Sequence, residues 1–177
     1  MLMTKKETDL MIILGIDPGY AIVGVGVVEY VGNKFRTLAY GAITTDSKTP
    51  TPLRLQKIYM EIGDYIDKYK PDAAAIEELF FNSNQKTAIH VAQARGAIIT
   101  AIVNKNVNLY EYTPLQIKQA VTGYGRADKA QIQQMVKMLL GLNAVPKPDD
   151  VADGLAAAIC HAHSGIMNNA LNLNKMQ

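Results

Sequence analysis

The order in which strands and helices are predicted along the chain restricts the fold more than any other feature. Three β-rich runs come first, at Met11–Ile16, Ile22–Tyr30 and Lys34–Thr44. The second and third runs are joined by Val31-Gly32-Asn33, a turn signal at hairpin spacing. The three runs therefore predict an antiparallel meander.

After the meander, helices alternate with two further strands, and three consecutive helices end the pattern. Leu53, Ile58, Ile62 and Ile66 recur at helical spacing until Lys70-Pro71 ends the pattern. The later predicted elements are a strand at Ala73–Glu77, a helix at Lys86–Asn104, a strand at Val107–Tyr112, a short helix from Pro114 to Gly123, a helix capped by Asp128, and a last helix from Pro148-Asp149 to His163. This order predicts an α/β fold with a mixed five-stranded sheet and helices on both faces.

Length and composition are those of one globular domain. The chain has 177 residues, of which 49% are hydrophobic and 19% are charged. These values exclude a wholly disordered or fibrous protein. We predict a disordered N-terminal extension over residues 1–10, a folded domain over residues 11–165 and a C-terminal tail over residues 166–177.

Cysteine content and apolar stretches bear on location. The single cysteine, Cys160, cannot form an internal disulfide or a cysteine-based zinc site, and nothing resembles a secretory signal with a cleavage site. We therefore expect a cytoplasmic protein. The longest apolar stretch, Leu10–Ile16, is far shorter than the ~20 residues that span a bilayer, so membrane insertion is not expected.

Positive charge is concentrated in one segment. The net charge of the chain is only +2, but residues 86–148 contain eight lysine or arginine residues against two acidic ones. Such a segment is typical of proteins that bind polyanions. The alternative is that these side chains only keep exposed helices soluble.

Two acidic residues stand at the ends of predicted strands. Asp17 lies between Gly15 and Gly19, which leave the backbone open to a close ligand, and Glu77 follows the apolar run Ala73–Ile76. Each residue alone also has an ordinary explanation, as a turn aspartate that bonds its own backbone or as a solvated glutamate.

The last predicted helix begins with further acids. In the first turn of a helix, Asp149 and Asp150 would interact favourably with the helix dipole and stabilise the helix by about 0.3–1 kcal/mol each. That explanation fails for Asp153, which shares a helix face with Asp150 and precedes Gly154 and other small residues suited to packing on a sheet. A carboxylate in that position needs a partner.

Convergence of four of these acids would create a metal site. The four are Asp17, Glu77, Asp150 and Asp153. Two like charges about 4 Å apart repel by about 4 kcal/mol at an effective dielectric constant of ~20, so a cation must offset them. Carboxylates select hard ions such as Mg²⁺ or Mn²⁺, and three or four can hold two ions for displacement at phosphorus. The pattern therefore predicts phosphodiester hydrolysis.

Four motifs occur in order along the chain. They are Gly15-Ile16-Asp17-Pro18-Gly19, Ile76-Glu77-Glu78-Leu79-Phe80, Ala92-Gln93-Ala94-Arg95-Gly96 and Asp150-Val151-Ala152-Asp153. Together they resemble the RuvC-type Holliday-junction resolvases, and the resemblance extends from Met11 to about Gly165. It implies a ribonuclease H-like nuclease domain, a homodimer, and paired nicks in symmetric strands of four-way DNA junctions during recombination and repair.

The same resemblance implies a set of functional residues. The metal-binding carboxylates would be Asp17, Glu77, Asp150 and Asp153, the catalytic lysines Lys118 and Lys129, and the aromatic that engages bases Phe80. Two Mg²⁺ ions are expected, with Mn²⁺ as a substitute. Some relatives carry histidine in place of Asp150, and Asp149 is an adjacent alternative ligand. A junction branch-migration motor complex is an expected partner.

Three of the candidate DNA contacts are basic. Lys118 projects from a helix, Lys129 opens the next helix, and Arg126 lies in the glycine-containing loop between them, so we predict contacts to phosphates. Solvated side chains are the alternative. Phe80 and Phe81 are adjacent, and in a strand-like geometry they point to opposite faces, so at least one is expected to be exposed.

Other functions fit parts of the pattern. Another ribonuclease H-like nuclease would act on RNA precursors or hybrid duplexes. A sugar-kinase or actin-type ATPase also begins with a strand-end aspartate, but it needs more chain than 177 residues. A non-catalytic junction-binding scaffold would not need Asp153. His161 and His163 lie two apart on a helix and cannot face one metal ion, so core or surface roles are expected for them.

Overall fold

The computed structural model describes residues 10–79, 85–164 and 170–171. Most of the predicted N-terminal extension, 1–10, and most of the predicted C-terminal tail, 166–177, lie outside the described residues. Phe80 and Phe81 also lie outside them.

Strands and helices follow the predicted order, with ends that differ from the predicted ends by only a few residues. The elements are β1 (Met11–Asp17), β2 (Ile22–Val31), β3 (Lys34–Thr44), α1 (Thr51–Tyr69), β4 (Ala73–Glu77), α2 (Gln85–Asn104), β5 (Asn108–Tyr112), α3 (Pro114–Thr122), α4 (Lys129–Leu139), α5 (Asp149–Ser164) and β6 (Ala170–Leu171).

The strands form one mixed sheet in the order β3-β2-β1-β4-β5-β6. β1, β2 and β3 are antiparallel neighbours, which confirms the predicted meander. β4 runs parallel to β1, and β5 runs parallel to β4. The predicted mixed five-stranded sheet is confirmed, and the two-residue β6 extends it by pairing antiparallel with β5.

Side-chain caps fix the starts of α3 and α4. The hydroxyl of Thr113 accepts a hydrogen bond from the Gln116 backbone N–H at 3.1 Å, and the Asp128 carboxylate accepts one from the Gln131 N–H at 2.8 Å. Each glutamine side chain in turn accepts a hydrogen bond from the backbone N–H of the capping residue. The starts of α3 and α4 are therefore both capping boxes. These capping boxes determine where the two helices that carry the predicted catalytic lysines begin.

Two apolar cores lie on opposite faces of the sheet. Ile13 packs in the core that includes residues of α3, α4 and α5, whereas the next residue, Leu14, packs in the core that includes residues of α1 and α2. Successive side chains of a strand point to opposite faces, so the helices cover both faces as predicted. Among the described residues, no helix is long and apolar enough to cross a membrane.

Glycines bring α5 into direct contact with the sheet. A Cβ atom on Gly24 of β2 would lie 1.7 Å from the carbonyl oxygen of Asp150, and one on Gly15 of β1 would lie 2.1 Å from the carbonyl oxygen of Gly154. No larger residue fits at either position unless the backbones separate. This close approach sets the first turns of α5 beside the residues that end β1.

Candidate active site

Two of the predicted acids leave the same edge of the sheet. β1 and β4 are parallel neighbours that pair Ile16 with Ile76. The next residue on each strand is the acid that ends it, Asp17 on β1 and Glu77 on β4. The two carboxylates therefore lie side by side at the carboxyl ends of the strands.

The start of α5 brings the other two acids to Asp17. Gly24, which lies against the Asp150 backbone, is the residue paired with Asp17 across β1 and β2. The pKa of Asp17 is raised to about 8, first by burial and then by neighbouring negative charges. In decreasing order of effect, those charges belong to Asp153, Glu77 and Asp150. The structure thus gathers the other three predicted acids around Asp17.

Both predicted catalytic lysines act on this cluster. Burial raises the pKa of Glu77 and the charge of Asp153 adds to the effect, while Lys118 and Lys129 oppose it. Burial also raises the pKa of Asp153, and Lys129 opposes that shift. The lysines on α3 and α4 therefore lie close enough to the acids for their charges to act on them.

Lys129 lies between two acids of α5. Its Nζ atom is 3.4 Å from Asp153 Oδ2 and 3.5 Å from Asp149 Oδ2. Burial disfavours the ammonium ion, but these carboxylates outweigh that effect and raise the pKa of Lys129. The lysine is therefore held as a cation at the edge of the cluster.

Asp149 and Asp150 differ in what they face. The Asp149 carboxylate is 2.6 Å from the Nζ atom of Lys147, which lowers the pKa of Asp149. The charges that raise the pKa of Asp17 include Asp150 and not Asp149. Both acids act on the charge of Asp153, but only Asp150 also acts on Asp17, which favours Asp150 as a member of the cluster.

The donor set fits a hard divalent cation. All four side chains offer carboxylate oxygens, which Mg²⁺ and Mn²⁺ prefer, and burying their charges without a cation is costly. Among the described residues, no three histidine, cysteine, aspartate or glutamate side chains form a ready group for a metal ion. In this structure the Asp153 carboxylate pairs with Lys129.

Only part of the basic segment lies near the acids. Arg95 pairs with Glu111 of β5, and Lys105 pairs with Asp67 of α1 at 2.5 Å, so these two cations serve the fold. The predicted DNA contacts carried by α3, α4 and their connecting loop are Lys118, Arg126 and Lys129. The surface available for a polyanion is therefore narrower than the charge count of residues 86–148 suggested.

An aromatic cluster beside Asp150 is not apparent in the sequence. The guanidinium carbon of Arg54 lies 3.6 Å from the centroid of the Tyr20 ring, and the His90 ring stacks on Tyr20 with centroids 4.6 Å apart. Tyr20, His90 and Asp150 help to line a cleft of about 450 Å³. These residues come from distant parts of the chain, so no local spacing could have shown the cluster.

The histidines of α5 are engaged within the fold. His161 is buried with its Nδ1 atom 2.7 Å from the Tyr112 hydroxyl oxygen, and burial lowers the pKa of His161 to about 4. The exposed His163 has its Nδ1 atom 3.0 Å from the Ala120 carbonyl oxygen. A core role for one and a surface role for the other agree with the expectation from their spacing.

Comparison with known proteins identifies the family. The family model described as crossover junction endodeoxyribonuclease RuvC matches residues 13–161. The chain belongs to the RuvC family. A RuvC protein from Alkaliphilus oremlandii is 63% identical over 155 residues, which cover 88% of this chain and 94% of that protein. One from Caldanaerobacter subterraneus is 56% identical over 165 residues, which cover 93% and 100%.

Solved structures agree with this assignment. Thermus thermophilus RuvC in complex with Holliday junction substrate matches with a TM-score of 0.85 and 36% identity, covering 90% of this chain and 98% of that one. The yeast mitochondrial Holliday junction resolvase Ydc2, at 14% identity and a TM-score of 0.64 over 85% of this chain and 77% of its own, shares the fold. The predicted ribonuclease H-like fold and junction endonuclease class are confirmed, and the RNA nuclease, ATPase and scaffold alternatives are not favoured.

Proposed function

We propose that this RuvC-family chain resolves four-way DNA junctions by cation-assisted hydrolysis of phosphodiester bonds. The observation that carries the proposal is the convergence of four acids: β1 and β4 end side by side in Asp17 and Glu77, and the close packing of α5 on the sheet brings Asp150 and Asp153 to them. Uncompensated charges of this kind destabilise a fold and are retained at sites of function. In the proposal, two Mg²⁺ ions, for which Mn²⁺ would substitute, neutralise these carboxylates.

The chain supplies the frame for this chemistry. The proposed ligands are Asp17, Glu77, Asp150 and Asp153. Bound ions of this type supply Lewis-acid stabilisation of the phosphate and an activated water. The two strand ends and α5 hold the carboxylates on rigid elements, with Asp17 at the centre because the other three all act on its charge. Lys118 and Lys129 would stabilise negative charge that develops on the phosphate.

The proposal also includes residues that would contact DNA around the carboxylate site. Lys118, Arg126 and Lys129 would bind phosphates, because they lie on α3, on α4 and in the loop between these helices, and the charges of both lysines act on the acids. Phe80, three residues after Glu77, would stack on bases at the centre of the junction. The Thermus thermophilus relative, which is bound to Holliday junction substrate, supports this choice of DNA.

One face of α2 fits a second copy of the chain. Ile89 is 61% exposed and Val103 is 38% exposed, and a Cβ atom on Gly96 between them would meet only open space. With Ala92 and Thr100 these residues recur every three or four positions, so they form one stripe along the helix. The proposal is therefore a homodimer through this stripe, which would provide two active sites for paired nicks.

The remaining parts of the proposal rest on the family. Residues 11–165 would form the nuclease domain, flanked by the N-terminal extension and the C-terminal tail. The protein would act in the cytoplasm, together with a junction branch-migration motor complex.

Cleavage of synthetic DNA tests the proposed function. A four-way junction and a linear duplex of the same sequence are incubated with the protein in Mg²⁺ or in EDTA, and a DNA–RNA hybrid is added as a competitor. We expect symmetric paired nicks in the junction, only with Mg²⁺, and little competition by the hybrid. Nicks in the linear duplex or the hybrid at the same rate would contradict the proposal.

Charge-removing variants test the site itself. Asp17→Asn and Glu77→Gln should abolish cutting while junction binding persists, because catalysis needs the ligand charge and binding depends on the basic surface. The matched control is Asp67→Asn, since Asp67 pairs with Lys105 on a distant part of the fold. Cleavage at the wild-type rate by either site variant would exclude the proposed ligand set.

A further inference from the structure

A row of alternating positive and negative side chains lies at the edge of the acid cluster. Lys147 Nζ lies 2.6 Å from Asp149 Oδ1, Lys129 Nζ lies 3.5 Å from Asp149 Oδ2, and the same Nζ atom lies 3.4 Å from Asp153 Oδ2. Within this row, Asp149 contacts two lysines, whereas Asp153 contacts one. Asp149 also opens α5, the helix that carries two of the proposed ligands.

Helix geometry explains why Lys129 meets both acids. Asp149 and Asp153 are four residues apart on α5, so they lie on the same face, one turn apart. Lys129 is the first residue of α4, and the Asp128 capping box fixes where that helix starts. The lysine therefore reaches across from a fixed helix end to two successive turns of α5.

The two acids have different second partners. Asp153 is partly buried beside Asp17 and belongs to the proposed ligand set, so its charge is shared with whatever the cluster binds. Asp149 stands outside that set, with its side chain 40% exposed and its other oxygen bonded to Lys147. When Asp153 is engaged by a cation, Asp149 is the carboxylate that can still restrain the Lys129 ammonium.

We propose that Asp149 is a positioning residue that holds Lys129 beside the phosphate to be cut. This inference rests on the proposed function, in which Lys129 stabilises charge on that phosphate. Asp149 itself touches neither substrate nor cation in this scheme. It restrains a long, flexible side chain, so that less conformational freedom is lost when the DNA arrives.

Asp149→Asn is the direct test, because it removes the charge and keeps the shape. We expect kcat for junction cleavage to fall by roughly 10-fold, with the KM for the junction unchanged, since a small misplacement of a catalytic group is enough for such a loss. The thermal midpoint should stay close to the wild-type value. Junction binding in EDTA should be equal or tighter, because a negative charge near DNA is lost. Asp149→Glu should recover part of the rate.

Combination with Lys129→Ala separates positioning from other roles. If Asp149 acts through Lys129, Asp149→Asn should have no further effect in the Lys129→Ala background. Asp67→Asn, which also breaks an aspartate–lysine pair, is the matched control and should cleave at the wild-type rate. An equal loss of kcat with and without Lys129 would overturn the inference, as would a wild-type kcat in Asp149→Asn.

The result for Lys129→Ala alone distinguishes a failure of this inference from a failure of the proposed function. A slow Lys129→Ala together with a wild-type Asp149→Asn would overturn the positioning role and leave the proposed function standing. Wild-type cleavage by Lys129→Ala would remove the proposed role of the lysine, and the inference would fall with it.

Discussion

Burial and three neighbouring carboxylates disfavour a negative charge on Asp17. The aspartate ordinarily titrates near 3.8 and in this fold titrates near 8, so between those pH values the folded chain keeps a proton that the unfolded chain has lost. The contribution of Asp17 to folding stability therefore decreases as the pH rises through this window. A tenfold change in proton affinity is worth about 1.4 kcal/mol, so the effect in the cation-free protein is large.

Asp17→Asn should relieve this effect. In EDTA at pH 8.5 we expect the thermal midpoint of the variant to exceed that of the wild type by roughly 5–10 °C, and the difference to shrink towards pH 5. Differential scanning calorimetry across that pH range measures it. Asp67→Asn, at an exposed aspartate whose pKa Lys105 lowers, should show no such gain. A midpoint for Asp17→Asn at or below the wild-type value at every pH would mean that the acids do not form a cluster.

Among the elements, α5 connects the packing of the fold to the site. Its first turns carry Asp150 and Asp153, and its small residues pack directly on β1 and β2. Gly24 lies both opposite Asp17 in the sheet and against the backbone of Asp150. The distance between the strand-end acids and the helix acids therefore depends on this glycine.

Gly24→Ala should disturb the site and the fold together. The added Cβ atom would lie 1.7 Å from the Asp150 carbonyl oxygen, so α5 must move away from the sheet. We expect a loss of stability of roughly 1–3 kcal/mol and a large loss of junction cleavage.

Gly63→Ala in α1 is the matched control for Gly24→Ala. Its Cβ atom would make an ordinary contact, 3.7 Å from Lys105 Cε, and alanine in a helix is favoured over glycine by roughly 0.5–1 kcal/mol. Urea denaturation and junction cleavage report on both variants. If Gly24→Ala were as stable and active as Gly63→Ala, the close approach of α5 would not be needed.

The elements themselves could be predicted because their signals are local. The caps at Thr113 and Asp128, the apolar spacing before Pro71 and the acids at two strand ends all stand within a few residues of what they determine. Parallel pairing of β1 with β4 then brings the strand-end acids together without further information. This pairing accounts for Asp17 and Glu77, whereas Asp150 and Asp153 stood out in the sequence as acids on one face of a helix of small residues.

Contacts between side chains of different helices could not be predicted in this way. The pairing of Lys129 with Asp149 and the stacking of His90 on Tyr20 depend on how each helix is rotated against its neighbour. Hydrophobic periodicity fixes which face of a helix is buried and leaves the partners of its polar side chains open. Asp149 therefore looked in the sequence like an alternative to Asp150, and its position beside two lysines became visible only in the fold.

The sheet separates two layers of helices. The helices α3, α4 and α5 cover one face and contribute two lysines and two acids to the site, while α1 and α2 cover the other. The exposed stripe of α2 that runs from Ile89 to Val103 lies on the outer side of that second layer, with Gly96 near its middle. Two copies joined through it would each keep an accessible acid cluster, which paired nicking of a symmetric junction requires.

Gly96→Glu tests the dimer face without weakening the helix. Glutamate is a better helix former than glycine, so the monomer should fold, but two buried like charges at a symmetric contact should separate the copies. We expect the wild type to sediment as a dimer and the variant as a monomer with a wild-type or higher thermal midpoint. The monomer should nick junctions singly, without the paired cuts. Met60→Glu, which places the same charge on an exposed position of α1, should remain dimeric. A dimer that survives Gly96→Glu would move the contact away from α2, and a wild-type monomer that makes paired nicks would contradict the need for a dimer.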